Sequence, residues 1–261
     1  MNTHPHSVNT RSLTTAVTVL SLAFAPVGCG DTNAPVTSGT FYGPVIPVAN
    51  GSARSYVILD RAGDPVELGV ALVEGVLTDL PSVAGEYVMP LPPEAEATAF
   101  KHAVINWVPA GHPPPMVYTV PHFDVHFYMI TDDARRANTL GTPELDAKMA
   151  RRPEEPFIPA GYAAGMASAQ MGMHWNDPTA PERLGQPFTK TFLYGSYDGA
   201  IIFAEPMATR AYLETRPAIT DIPLKLPTQY GTPGYHPTTY GVGYDPAARD
   251  YRISLRGLVK R

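Results

Sequence analysis

The chain has 261 residues, 19 basic and 24 acidic side chains, a formal net charge of −5 and a single cysteine. This acidic balance, without a basic stripe interleaved with aromatic residues, excludes a nucleic-acid-binding surface. The single cysteine excludes an intrachain disulfide. The 29 prolines and 22 glycines are too many for a helical bundle and favour short strands joined by turns.

The N-terminal segment has the pattern of an export signal. Residues 13–27 carry no charge, a stretch that matches a signal-peptide core and is too short to cross a bilayer. Val27-Gly28-Cys29 resembles the bacterial lipobox, whose cysteine is lipidated and becomes the new N-terminus. We therefore predict a signal peptide over residues 1–28 and a lipidated tether over residues 29–37, in a membrane-anchored lipoprotein of the bacterial envelope. Alternatively, cleavage after Ala23-Phe24-Ala25 would give a soluble secreted or periplasmic protein.

Residues 38–261 are predicted to form one domain, because no repeat and no shift in composition divides them. A hairpin is predicted around the turn at residues 62–65. The predicted strands cover residues 55–60, 66–74, 98–108, 120–130, 188–194, 200–204 and 251–255, and the predicted helices cover residues 142–149 and 206–214. The expected fold is mainly β, a β-sandwich or small β-barrel with two or three short helices. No further apolar run is long enough for a transmembrane helix.

The strand over residues 120–130 is the most informative of these elements. Since strand side chains alternate between faces, His122, Asp124, His126 and Tyr128 share one face and apolar side chains occupy the other. Alternate residues lie about 6.6 Å apart, so Asp124 and His126 are neighbours. His122 and His126 lie about 13 Å apart, and a bulge would be needed before both could bind one ion.

Two residues elsewhere complete a candidate metal site. His174 follows a Gly- and Met-rich stretch, and Glu205 ends an apolar run in which a lone buried carboxylate would be costly. The predicted metal ligands are His122, His126, His174 and Glu205, with Asp124 and Tyr128 as the hydrogen-bonding partners that orient them. Imidazole and carboxylate groups suit zinc, iron or manganese. Two alternatives stay open, a polar pocket without metal and histidines that serve only as hydrogen-bonded structural residues.

Parts of the chain resemble a known family. The similarity covers roughly residues 98–215, and its most specific part is the strand sequence His122-Phe123-Asp124-Val125-His126-Phe127-Tyr128. Met173-His174-Trp175 and residues 188–206 also contribute to it. The chain resembles an uncharacterised family of exported bacterial proteins, a domain of unknown function associated with a thermophile protein under extracytoplasmic sigma-factor control. The resemblance implies an envelope or stress-linked setting and brings no activity, ligand or catalytic residue.

Three functional hypotheses follow from these observations. The favoured one is an exported lipoprotein that binds a metal or small molecule, tethered to the membrane by a lipid at Cys29. The second is a metal-dependent envelope enzyme. The third is a structural protein without a site, which forms homo-oligomers through aromatic surfaces that include Tyr230, Tyr235, Tyr240 and Tyr244. The sequence alone leaves open whether the protein is an enzyme.

Overall fold

The strands that carry the histidine motif lie within the part of the chain that a computed structural model describes, residues 1–2 and 38–261. The rest of the predicted signal peptide, the tether and Cys29 lie outside these residues. The described residues from 38 onward belong to one compact unit. None of the helices among them has the length and apolar character that a membrane span requires.

Short strands dominate the described chain. They are joined by turns and loops in which many of the prolines and glycines lie. The strands are β1 (Gly39–Tyr42), β2 (Ile46–Val48), β3 (Gly51–Leu59), β4 (Pro65–Val73), β5 (Gly85–Pro90), β6 (His102–Val108), β7 (His122–Tyr128), β8 (Ala163–Ser168), β9 (Gly172–Asn176), β10 (Lys190–Tyr197), β11 (Ala200–Thr209), β12 (Ile222–Pro223), β13 (Tyr235–His236), β14 (Thr239–Asp245), β15 (Asp250–Arg256) and β16 (Val259–Lys260).

The α-helices of the described residues are three in number, and each begins after a threonine. In each case the threonine hydroxyl accepts a hydrogen bond from a backbone N–H in the first turn, which stabilises the helix start. The helices are α1 (Asp132–Ala137), α2 (Pro143–Ala150) and α3 (Arg210–Glu214), and single 3-10 turns cover Glu74–Leu77, Pro93–Ala95, Glu155–Phe157 and Pro181–Leu184.

Two large antiparallel sheets make up the fold. In the first the strand order is β1-β3-β4-β15-β14-β12, with β2 beside β3, and in the second it is β5-β6-β7-β11-β10-β9-β8. Strands β13 and β16 form a small separate ribbon. Neither large sheet closes on itself, so the architecture is a β-sandwich rather than a barrel. The expected mainly β fold with two or three short helices is confirmed.

The main hydrophobic core lies between the two sheets. Val70 and Ile253 contribute to it from the first sheet, and Phe123, Val125 and Phe127 contribute from β7 in the second. Because side chains alternate along a strand, the histidine-bearing face of β7 points away from this core. That outer face is also buried, since every residue of β7 is buried. A second layer of chain must therefore cover it.

One predicted element differs in type from the structure over part of its length. The predicted helix over residues 206–214 begins only at Arg210, and Pro206 is still part of β11, opposite Phe192 of β10. Strand β11 is paired on both sides and buried along most of its length. In a fully buried segment the apolar pattern is continuous, so a strand and a helix cannot be told apart by their periodicity.

Candidate metal centre

Three strands of the second sheet bring His126, His174 and Glu205 together. His126 lies on β7, Glu205 on β11 and His174 on β9, and their ligand atoms all lie within 4.8 Å of one another. Nε2 of His126 is 3.2 Å from one carboxylate oxygen of Glu205, and Nε2 of His174 is 3.7 Å from the other. We call these three residues the first ligand group.

A glycine between the strands allows His174 to reach this group. Strand β10 separates β9 from β11, and its Gly195 lies between His174 on one side and Phe203 on the other. The Phe203 ring occupies the space above Gly195, where a side chain at that position would collide with it. Both imidazoles pack edge-on against this ring, with centroid distances of 4.8 Å for His126 and 5.5 Å for His174.

In the first ligand group, some nitrogen and oxygen atoms make no hydrogen bond within the described chain and are free to coordinate a cation. Nδ1 of His174 lies 2.9 Å from the carbonyl oxygen of Met166, which can only accept, so Nδ1 carries the proton and Nε2 keeps its lone pair. Both ring nitrogens of His126 and one oxygen of Glu205 are buried without a hydrogen-bond partner in the described chain. Buried polar atoms are normally paired, so unpaired atoms on two neighbouring side chains, Nε2 of His126 and an oxygen of Glu205, indicate a missing ligand.

The electrostatics of the group agree with this interpretation. Burial lowers the pKa of His126 to about 3, and burial also lowers the pKa of His174. Burial and the nearby charge of Asp124 raise the pKa of Glu205 well above its usual value. Burial at this position therefore disfavours both the protonated form of the imidazoles and the ionised form of the carboxylate. A divalent cation bound to neutral imidazoles and an ionised carboxylate would remove both conflicts.

A second set of ligand-type residues lies on the same side of the sheet. His112, His122 and Asp124 also have their ligand atoms within 4.8 Å of one another, and we call them the second ligand group. Burial raises the pKa of Asp124, but hydrogen bonding and charge from the two histidines outweigh this effect and lower it below its usual value. The pKa of His112 is lowered by burial but raised overall by the Asp124 carboxylate and the Pro113 carbonyl.

Both groups border one cavity of about 740 Å³. Asp124 and His112 reach it from the second group, and His174 and Glu205 reach it from the first. Its other walls are largely apolar and include Trp107, Pro113, Pro114, Pro115, Tyr118, Met166, Met171 and Leu193. The segment around the three prolines thus covers the outer face of the sheet above β7.

The predicted site residues divide between these two groups. His126, His174 and Glu205 converge as one set, whereas His122 lies with Asp124, which had been expected to orient a ligand. The reason is that β7 pairs with β6 in unbroken register, so no bulge shortens the distance from His122 to His126. Tyr128 stacks on His126 with a centroid distance of 5.7 Å, but its hydroxyl donates to the carbonyl of Gln170 rather than to a ligand.

His112, which follows β6 in a loop, is not among the residues predicted as ligands. The backbone N–H of His112 donates to the carbonyl of Tyr118, 3.0 Å away, and this bond folds the loop back over the sheet. Gly111 adopts a positive φ of 69°, and a side chain there would collide with the Tyr118 carbonyl. Strand alternation gives no signal for such a residue, although the sequence Gly111-His112-Pro113 marks a constrained turn.

Comparison with known proteins gives one limited similarity. Residues 60–107 match the model of the TTHB210-like family, described as hypothetical protein TTHB210. The match runs from the end of β3 to β6 and overlaps the resemblance proposed for residues 98–215 only at residues 98–107. No curated protein and no solved structure matches the chain. The similarity supports an uncharacterised domain family in this region and does not include the residues of either ligand group.

Proposed function

We propose that this protein binds a divalent metal ion through His126, His174 and Glu205. The observation that carries the proposal is the convergence of three buried ligand-type side chains, several of whose atoms have no other partner in the described chain. Two nitrogen donors and one oxygen donor suit zinc, iron or manganese. The backbone hydrogen bond at Nδ1 of His174 is the type of contact that orients a metal-binding imidazole.

The same site is proposed to bind a small molecule next to the metal. Three protein ligands leave at least one coordination position free, as in metal sites that bind substrate rather than in closed structural sites. The adjoining cavity is large enough for a small organic molecule and has mainly apolar walls. The preferred ligand is therefore a small molecule with an apolar body and an oxygen or nitrogen donor at one end.

A metal-dependent enzyme is the second candidate function. The observation that favours it is that both Glu205 and His174 are among the residues that line the cavity. A molecule in the cavity could therefore contact the ion directly. A binding protein would release its ligand unchanged, whereas an enzyme would convert it, and analysis of the ligand after incubation with the metal-loaded protein separates the two.

Elemental analysis of the untagged mature protein tests the metal proposal. We expect zinc, iron or manganese to bind, and to be lost from the first ligand group in His126→Ala and His174→Ala. The matched control is His236→Gln, since His236 is also buried but has a carbonyl partner, Thr232, 2.7 Å from its Nε2. Unchanged metal content in both site variants would reject the proposal and favour a structural role for these histidines.

We also propose that the protein is exported and anchored in the bacterial envelope by a lipid on Cys29. The support is the uncharged segment over residues 13–27 and the lipobox-like Val27-Gly28-Cys29, together with the resemblance to an exported family in an envelope-stress setting. Cys29→Ala should move the protein from the membrane fraction to the soluble fraction. Equal membrane association of the variant and the wild type would contradict lipid anchoring.

A further inference from the structure

We infer that His112, His122 and Asp124 form a second divalent-metal position beside the first, so that the cavity carries two ions. The inference extends the proposed function and rests on it for the shared cavity. In this second ligand group, Nε2 of His122 lies 3.0 Å from one oxygen of Asp124, and Nε2 of His112 lies 3.6 Å from the other. Two nitrogens and a carboxylate form the same kind of donor set as the first group.

The backbone fixes both imidazoles in a metal-binding orientation. Nδ1 of His122 lies 2.6 Å from the carbonyl oxygen of Val120, and Nδ1 of His112 lies 2.7 Å from that of Pro113. A carbonyl can only accept, so each Nδ1 carries a proton. In the neutral rings, both Nε2 atoms then direct a lone pair towards the Asp124 carboxylate. The fixed tautomer and ring direction are those that backbone contacts impose on metal-binding histidines.

The arrangement lacks a positive charge at its centre. His122 is fully buried and Asp124 is nearly so, yet Nε2 of His122 and the facing Asp124 oxygen have no hydrogen-bond partner among the described residues. Lone pairs that face each other at 3.0 Å repel each other unless a proton or a metal ion lies between them. One extra proton could bridge Asp124 to only one of the two imidazoles. A metal ion could bind Asp124 and the Nε2 atoms of both His112 and His122 at the same time.

The neighbouring strand β6 offers one more donor to the second ligand group. Asn106 of β6 lies opposite Asp124 of β7, and its side-chain oxygen is buried without a partner in the described chain. Asn106 also borders the cavity, as do Asp124 and His112. The open side of the second group therefore faces the same space as the open side of the first, and a molecule in the cavity would meet both ions.

The two ligand groups share no residue, which indicates two separately bound ions rather than one bridged pair. Asp124 and His126 are alternate residues of an unbroken strand, about 6.6 Å apart. Metal pairs that share bridging ligands are closer, about 3.5–4 Å apart. Each ion would thus have its own protein ligands, and loss of one set should leave the other able to bind.

Metal stoichiometry tests this inference. The mature protein is stripped with a chelator, dialysed against Zn²⁺ or Co²⁺, and analysed for bound metal per chain. We expect two equivalents for the wild type and one each for His112→Ala and His174→Ala. His112 is the preferred target because it lies in a loop and its side chain is 29% exposed, so its removal leaves the core intact. His236→Gln should keep two equivalents.

The outcomes separate this inference from the proposed function. No bound metal in the wild type would reject both. A single equivalent that His174→Ala removes and His112→Ala leaves unchanged would reject the second position alone. If the variants fail to fold, anomalous scattering from metal-soaked wild-type crystals decides the matter. Two peaks, one beside each ligand group, would support the inference, and a single peak beside Glu205 would overturn it.

Discussion

Glu205 lies with its side chain buried, and the imidazoles of His126 and His174 lie 3.2 Å and 3.7 Å from its carboxylate oxygens. Taking an ionised carboxylate out of water without a counter-charge costs several kcal/mol, which is why burial raises the pKa of Glu205. A side chain chosen only for stability at this point of β11 would be apolar. The carboxylate therefore indicates a role that outweighs its cost in the metal-free fold.

The first prediction concerns this side chain. Glu205→Gln should lower metal affinity by more than the roughly 10–100-fold that loss of a ligand's hydrogen-bonding partner costs. The metal-free variant should unfold at an equal or higher temperature than the metal-free wild type, because glutamine has the same shape without a charge to bury. Metal titration and thermal unfolding in chelator measure the two effects. A variant that binds metal normally, or that is strongly destabilised without metal, would contradict the assignment.

The second prediction concerns His236, which is buried beside the rings of Phe100 and Tyr230. Burial lowers its pKa despite the hydrogen bond to Thr232. Below about pH 6.5 His236 therefore binds a proton in the unfolded chain more readily than in the folded chain. The free energy of unfolding should then fall as the pH falls. His236→Gln should reduce this slope when unfolding is measured in chelator from pH 6.5 downwards. An unchanged slope would show that His236 is not the group responsible.

At the scale of elements, the strand with the histidines is the part that the sequence predicts best. Alternation alone places His122, Asp124 and His126 on one face of β7, because a strand buried on its apolar side has only one register. The β3–β4 hairpin follows from its turn, where the side chain of Asp60 accepts hydrogen bonds from the N–H groups of Ala62 and Asp64. The start of α2 follows from the N-cap Thr142.

Other parts of the site depend on contacts that no local pattern contains. His174 lies close to Glu205 only because β10 pairs with both of their strands and has no side chain at Gly195, the residue opposite His174. His112 joins Asp124 only because the loop after β6 folds back through its hydrogen bond to Tyr118. Both depend on pairing between distant segments, whereas periodicity reports only on neighbours along the chain. Strand spacing did indicate that His122 and His126 would not meet, and the regular register of β7 agrees with it.

The third prediction tests the role of Gly195 in β10. In Gly195→Ala the added methyl group would collide with the Phe203 ring, which packs against both His126 and His174. We expect a loss of about 1–3 kcal/mol in unfolding free energy, the usual cost of overpacking, together with weaker metal binding. Gly75→Ala is the matched control, because a methyl group there would contact nothing within 4 Å. Equal stability and metal affinity in the two variants would show that Gly195 does not position the site.

At the scale of the whole molecule, the two faces of the second sheet serve different purposes. Its inner face packs against the first sheet and builds the main core, while its outer face holds both ligand groups beneath a covering layer. The matched residues 60–107 extend from the end of β3 to β6, and so include strands of both sheets but neither ligand group. The matched part of the chain therefore contributes Asn106 to the cavity, and the residues of the two ligand groups lie in the loop and strands that follow it.

The last prediction concerns the stability of the whole domain. The first ligand group takes His126, His174 and Glu205 from three different strands, so an ion bound to them would hold these strands together only in the folded state. A metal at 100 times its dissociation constant should add about 2.7 kcal/mol to the unfolding free energy. For a domain of this size, each kcal/mol corresponds to roughly 2–4 °C, so the melting temperature should rise by about 5–10 °C. Differential scanning calorimetry with Zn²⁺ or Mn²⁺ against chelator measures the shift, and Ca²⁺, which prefers oxygen ligands, is the control ion. His174→Ala should lose the part of the shift that the ion at the first ligand group contributes, and an equal rise in that variant would mean that this ion binds elsewhere.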